Sequence, residues 1–411
     1  MTVQNAAAPL RNVRVLDLTR VLAGPYCTML LGDLGADVIK IERPGCGDDT
    51  RQWIPPTLNG ESCYFMSVNR NKRSVAVNLK TSQGQSLVAR LARCCDVLVE
   101  NFLPGTAEKF NIGYEALSSQ NPSLIYTAIS GYGQHGPWSN RGGYDVIAAA
   151  VGGLVHITGP KDGDPCKAGV ALTDVLTGLY AHGAIMAALM HRDATGQGQY
   201  IDCNLLSSQV ASLVNIGSNF LNAGVEATRW GTSHASIVPY QAFKTKDARY
   251  IVVGGGNDAL FVELCRRIGC PELASDARFL TNSSRVQHRD KLIPVMSKIF
   301  LTKTLSEWLK TFDGSRMPYG PVNDMRSVFA NEQASSNAGA LVQHNKLVQS
   351  IQHSKAGHVK MTAPAVRYSS IENRIRLPPP VLGEHTREVL QQMLNMPTKE
   401  IDELQMQNVI G

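Results

Sequence analysis

The chain opens with a short apolar run, VRVLDL (13–18), of β character. TRVLAGP follows, then PYCTMLLGDLGA, in which Pro25 suits the first turn of a helix and Gly35 its end. A second β-like run, DVIKIE, comes next, so the pattern reads strand, helix, strand: a βαβ unit with a parallel sheet. The alternation then recurs. SVAVNL (74–79), DVLVENF (96–102) and LIYTAISGYG (124–133) read as strands, and SLVARLARCC (86–95) has helical period. The first half therefore predicts an α/β, Rossmann-like, doubly wound sheet. No GxGxxG follows the first strand, so a dinucleotide site is not supported. Gly254-Gly255-Gly256, at the end of the strand-like YIVVG, reads as a turn or close-approach loop rather than a P-loop.

Beyond Ser208 the pattern changes. Residues 209–229 read as a linker of helical or connector character. QAFKTKDARYIVV (241–253) predicts a hairpin turning at Lys246-Asp247. ALFVELCRRIG and TLSEWLKTF predict helices, the second with Thr304 and Glu307 at capping-box spacing. MPYGPVND (317–324) reads as a rigid connector, and LGEHTREVLQQML as a closing helix. The expected organisation is a large domain from 1–208 and 325–411, with a smaller α/β domain and connector inserted at 230–324.

Composition changes little. The 411 residues are 43% hydrophobic and 18% charged, ample for a core. The net charge of +6 is spread without a long basic run, which argues against a nucleic-acid partner. The nine cysteines are an odd count with no CxxC pair and no zinc spacing, so neither a disulfide framework nor a metal site is indicated. The most apolar stretch, 175–190, is interrupted by Thr177 and His182, and no membrane partner is expected. The N-terminus, MTVQNAAAPLRNVR, lacks a hydrophobic signal core, and Arg11, Arg14 and Arg20 are a faint transit-peptide signal. Arg70, Lys72 and Arg73 could meet phosphates but read slightly better as a solvated loop.

One residue breaks the apolar pattern. GVALTDVLTGLYAHGAIMAALMHR (169–192) is almost wholly apolar or small, yet carries Asp174 near its start. A carboxylate there can cap the helix. Desolvated beside an apolar helix, it can also serve as a nucleophile. The spacing leaves both open.

Eight stretches in order carry a resemblance that spans the chain: VLDLTRVLAGP, LGADVIKIERPGCGD, NRNKRSVAVNLK, DVLVENFLPG, GYGQHGPW, GGYD, TGQGQYIDCNLLSSQ and LGEHT. Together they resemble the class III CoA-transferases. Within that family GPWSNRGGYD, DCNLLSSQVA and SIVPYQAFKTKD are most similar to the branch that moves CoA between succinate and dicarboxylic acids such as glutarate or 3-hydroxy-3-methylglutarate. The resemblance implies an interlocked, ring-like homodimer whose large domain is made from both chain ends. It places the family's nucleophile on Asp174. It implies coenzyme A contacts at Leu22, Ala23, Arg43, Val77, Asn78, Leu79, Lys80, Asn101, Phe102, Leu103, Lys109, Gly142, Gly143, Tyr144 and Asp145. The substrates would be an acyl-CoA and a dicarboxylic acid, with CoA arriving as a thioester rather than as a bound cofactor. Arg229 and His234, in RWGTSHASIVPY, are candidates for the acceptor's second carboxylate. A mitochondrial matrix location is implied, with a cytoplasmic one as the alternative. The same fold hosts acyl-CoA racemases, which carry His where Tyr144 stands; a tyrosine is a poor base at neutral pH. A non-catalytic acyl-CoA-binding protein is the third reading, against which Asp174 argues.

Overall fold

The computed structural model describes residues 8–329 and 338–411. Residues 1–7 and 330–337, which fall within the expected large domain, lie outside the described residues. The chain forms two compact units: Met1–Leu154 with Ala168–Val225 and Lys346–Gly411, and Val155–Lys167 with Glu226–Asn345.

The first unit holds a six-stranded, all-parallel sheet of β1 (Arg14–Asp17), β2 (Asp37–Glu42), β3 (Lys72–Ala76), β4 (Val97–Glu100), β5 (Ile125–Ser130) and β6 (Gln199–Asn204). The spatial order is β3-β2-β1-β4-β5-β6, the doubly wound order whose direction reverses between β1 and β4. Alternation of side chains explains why the strands are apolar throughout. Val15, Val97 and Val99 enter one core and Leu16 and Leu98 the other, all fully buried, as a sheet covered on both faces requires. Helices α1 (Ala23–Asp33), α2 (Ser82–Arg93), α3 (Asp145–Val151) and α4 (Leu172–Thr195) complete the parts used below. α1 and α4 pack on one core, through Cys27, Leu31, Ala181, Ile185 and Ala188, and α2 on the other, through Leu87, Val88 and Leu91. α4 is long and apolar enough to cross a membrane by composition alone, but these contacts make it a core helix. The C-terminal segment returns to β3: the Asn78 N–H donates to Val409 O (2.8 Å), Gly411 N–H to Ala76 O (3.1 Å) and Ala76 N–H to Thr386 Oγ1 (3.1 Å).

The second unit has a three-stranded antiparallel sheet over a core containing Phe243, Phe261, Phe300, Trp308 and Phe312. The hairpin pairs Tyr240–Lys244 with Tyr250–Gly254, and the Thr304–Glu307 capping box forms as expected.

Four expectations need correction. The helical character expected of 209–229 is found in helices Leu205–Ala211 and Val214–Ala223, but the division differs: residues up to Val225 group with the first unit, whereas Val155–Lys167 and Glu226–Asn345, which takes in 325–345, group with the second. MPYGPVND is not only a connector, because Tyr319–Pro321 adds the third strand, pairing with Ile251–Val253; it is an edge strand, where proline's missing N–H costs least. LGEHTREVLQQML is not the closing helix, since Thr398–Met406 follows it. Finally, Arg70, Lys72 and Arg73 neither form a solvated loop nor face a cleft. Arg70 grips Asp33 through two bonds (2.9 and 2.7 Å), Lys72 Nζ lies 2.9 Å from Asp17 Oδ2, and Arg73 grips Asp37. Their partners are more than thirty residues away, so no local pattern announced them.

Candidate active site

In an open doubly wound sheet, the loops after β1 and β4 diverge to opposite faces and leave a crevice at the carboxyl ends of the strands. Here a cleft of about 280 Å³ is lined by Leu22 and Ala23 after β1, Asn101, Phe102 and Leu103 after β4, then Gly142, Gly143, Tyr144 and Asp174. Beside it a cleft of about 270 Å³ is lined by Arg43 after β2, Val77, Asn78, Leu79 and Lys80 after β3, and Phe102. Arg20 and Phe102 line both. Fourteen of the sequence-derived positions are thus brought to two adjoining clefts, on the segments that follow five strands, β1 to β5, and on α4.

Asp145 and Lys109 line neither. Lys109 ends the short helix Thr106–Lys109, whose Thr106 lines the second cleft. Asp145 opens α3, and its Oδ1 accepts the backbone N–H of Asp174 at 3.1 Å. This corrects the capping expectation. Asp174 is the third residue of α4 and caps nothing; Ala171 is at the N-cap with no side-chain bond, and Asp145 satisfies the helix's free N–H instead. α4 comes close to α1 at Gly178, where a Cβ would lie 2.7 Å from Ala23 O. That approach sets Ala23 and the head of α4 on the same cleft.

Asp174 is 8% exposed. Burial pushes its carboxyl up to about 7, with the nearby Asp145 charge adding to the effect. Among the described residues no cation or donor holds its side chain. A carboxylate desolvated without a counter-charge is poised between its two forms near neutral pH and is a stronger nucleophile than one in water. Tyr64, which the sequence reading missed, belongs to this neighbourhood: burial, then Asp174, Asp145 and Asp48, raise its phenol above the ordinary range. It sits in ESCYFMSVNR, on a helix capped by Ser62, and only proximity in three dimensions marks it.

Arg229 and His234 fall in the second unit. Arg229 donates to Gly163 O and His156 O, both at 3.0 Å. His234 stacks on Tyr240 with ring centroids 5.7 Å apart, and its Nδ1 accepts the Ser236 N–H. Both therefore have local structural roles. Arg289, not singled out by the sequence, stacks on Trp230 at 4.6 Å beside them.

Residues 10–386 match the family model described as CoA-transferase family III. The chain is 52% identical over 402 residues to succinyl-CoA:glutarate CoA-transferase from Mus musculus, covering 98% of this chain and 90% of that one. It is 39% identical over 395 residues to succinate–glutarate CoA-transferase from Agrobacterium fabrum, covering 95% and 96%. Its fold matches a CAIB/BAIF family protein from Brucella suis with a TM-score of 0.83 and 36% identity, over 95% of this chain and 100% of that one. The chain belongs to CoA-transferase family III and is an enzyme of that class.

Proposed function

We propose that the protein transfers coenzyme A from succinyl-CoA to a dicarboxylic acid such as glutarate, with 3-hydroxy-3-methylglutarate as an alternative acceptor. The observation that carries this reading is Asp174, a buried carboxylate without a counter-charge among the described residues, in a cleft at the sheet's reversal point; the names of the mouse and Agrobacterium relatives support the substrate pair.

In this reading an Asp174 oxygen attacks the acyl-CoA carbonyl, the C–S bond breaks, and CoA leaves as thiolate. The thiolate then attacks the aspartyl carbonyl of the resulting mixed anhydride and expels succinate, leaving an aspartyl–CoA thioester. The acceptor carboxylate attacks that thioester, again releasing thiolate. Attack of the thiolate on the acceptor's acyl carbon gives the new acyl-CoA and regenerates the Asp174 carboxylate. Each step exchanges one acyl bond for another, so activation of the acceptor draws only on the donor thioester.

Arg43 and Lys80, in the second cleft, are assigned to the phosphates of CoA, with Lys109 nearby. The chain around Leu22, Ala23 and Asn101–Leu103 is assigned to the pantetheine arm, together with Gly142, Gly143 and Tyr144. Arg229 and His234 remain assigned to the acceptor's second carboxylate; Arg229→Ala then raises KM for glutarate about tenfold and leaves that for succinyl-CoA within twofold, and equal effects on both would remove the assignment. The homodimer is supported by unpartnered apolar surface on the first unit: helix Val214–Ala223 buries no residue, and Phe220, Leu221, Tyr180 and Met190 are 53%, 82%, 51% and 73% exposed. Sedimentation of a monomer at micromolar concentration would remove that assignment. A mitochondrial matrix location is consistent with succinyl-CoA as donor, and cell fractionation tests it.

The decisive experiment mixes the protein with succinyl-CoA and glutarate and looks for glutaryl-CoA. Asp174→Ala is expected to cut kcat by at least about 10⁴-fold and to abolish the acyl or CoA adduct found by mass spectrometry on the peptide holding residue 174. Glutaryl-CoA formed at the wild-type rate by Asp174→Ala would overturn the mechanism.

A further inference from the structure

Between the two clefts runs a five-residue turn, Leu18–Leu22, that joins β1 to α1. Leu18 and Thr19 line one cleft, Val21 and Leu22 the other, and Arg20 both. Five consecutive main-chain polar groups of this turn are bonded to side chains. The Thr19 N–H donates to Asp17 Oδ1 (2.9 Å), and the Thr19 carbonyl accepts from Lys40 Nζ (2.7 Å). The Arg20 N–H donates to Asn101 Oδ1 (2.9 Å), and the Arg20 carbonyl accepts from Asn101 Nδ2 (2.7 Å). The Val21 N–H donates to Asp48 Oδ1 (3.1 Å). Asp48 is itself fixed, by Lys40 at 2.9 Å and by its own N–H on Glu42 Oε2 at 2.9 Å.

The turn needs this restraint because Val21 has φ +71°. A β-branched residue in the left-handed region is a true outlier, and such a conformation persists only where the surroundings over-determine it. There is no slack on the far side either: Gly24 lies so close under Thr19 that a Cβ there would come within 2.4 Å of its side chain. Released from its bonds, Val21 would relax to negative φ and swing Leu22 and Ala23, two walls of the Asp174 cleft, away from their places.

We propose that Asn101 is a positioning residue for CoA transfer. Its carboxamide grips both sides of Arg20, holds Val21 in the left-handed conformation, and so keeps Leu22 and Ala23 set against the cleft that contains Asp174. This goes beyond a ligand-contact role, because the carboxamide oxygen and one of its N–H groups are already spent on the main chain. It rests on the reading of that cleft as the acyl-CoA site.

The test compares wild type, Asn101→Ala, and Asn101→Ala with Val21→Gly, following kcat/KM for CoA exchange and, independently, CoA affinity by calorimetry. Asn101→Ala is expected to lower kcat/KM about 30-fold through misplacement of the turn. Adding Val21→Gly is expected to recover at least about fivefold of that loss, because glycine adopts positive φ without the side-chain penalty. CoA affinity is expected to fall and recover in the same order. A double variant no better than Asn101→Ala, or an Asn101→Ala within twofold of wild type, overturns the proposal. Wild type inactive on succinyl-CoA and glutarate would sink the substrate reading alone, since rescue of CoA affinity still decides the role of Asn101. If Asn101→Ala does not fold, Asn101→Asp, which keeps the acceptor for the Arg20 N–H and loses the donor to its carbonyl, takes its place with the same two expectations.

Discussion

Asp17 and Asp174 are buried aspartates of the same unit, one at the end of β1 and the other in the first turn of α4, and the protein solvates them in opposite ways. Asp17 is completely buried. Burial alone would push its carboxyl up, but Lys72, then Lys40, then the hydroxyls of Thr19 and Thr28 outweigh it and hold the group well below the usual carboxylate range. Asp174 is nearly as buried, yet among the described residues the charge that acts on it is another carboxylate, Asp145, and it rises to about 7. Depth therefore does not separate a structural carboxylate from a reactive one; the presence of a counter-charge does. The structural pair also has a use. Lys40, which faces both Asp17 and Asp48, bonds the Thr19 carbonyl, so the fully compensated cluster supports the turn beside the uncompensated aspartate.

The sharpest way to break this contrast is to remove the counter-charge. Lys72→Met leaves Asp17 short of its closest cation and strips a donor from Pro25 O and Asn69 Oδ1. Loss of one partner from a buried ion pair is expected to cost roughly 3–5 kcal/mol, read as a lowered thermal unfolding midpoint. A midpoint unchanged at neutral pH would mean the cluster is not what stabilises β1.

Asp174→Asn should act in the other direction. Its folded-state pKa lies above the unfolded value of 3.8, at about 7, so the protonated form is favoured in the folded protein. The associated stability is intact below about pH 4 and drains away as pH rises through 7. Above pH 7 the wild type carries an uncompensated buried charge, and Asp174→Asn is expected to be more stable by roughly 1–4 kcal/mol. The gain should shrink to nothing below about pH 4. A destabilised Asn variant at pH 8 would contradict the contrast. For Asp17 the sign is reversed: its depressed pKa makes stability that is present above the unfolded value and lost as pH falls through the folded one.

The smallest effect expected is from Asp145→Asn. The amide keeps an acceptor for the Asp174 N–H but removes the like charge that helps raise Asp174. The acid limb of kcat/KM against pH should move to lower pH, so that the variant retains a larger share of its maximal rate than wild type at pH 6. An unmoved limb would show that burial alone sets Asp174.

The legible part of this protein was whatever depends on near neighbours in the chain. Apolar runs gave strands β1 to β5 within a few residues, α1 followed from Pro25 and Gly35 at its ends, α2 from helical period, and the Thr304–Glu307 cap was visible from a three-residue spacing. β6 was not assigned from pattern, because its exposure alternates at a sheet edge, QYIDCN, with little apolar signal. The candidate site stood out only as one acidic residue in an apolar segment, and its assignment came from eight stretches that resemble a family.

Sequence by itself determined the class of sheet, the helices that flank it and the presence of a carboxylate in an apolar setting, because periodicity and composition act over a few residues. Tertiary structure decided what each charge does. Asp145 is 29 residues from Asp174, Lys72 is 55 from Asp17 and Asn101 is 81 from Arg20. Whether a buried carboxylate is neutralised or left reactive, and whether a turn is held against its own preference, depends on partners that only folding brings within 3 Å or so.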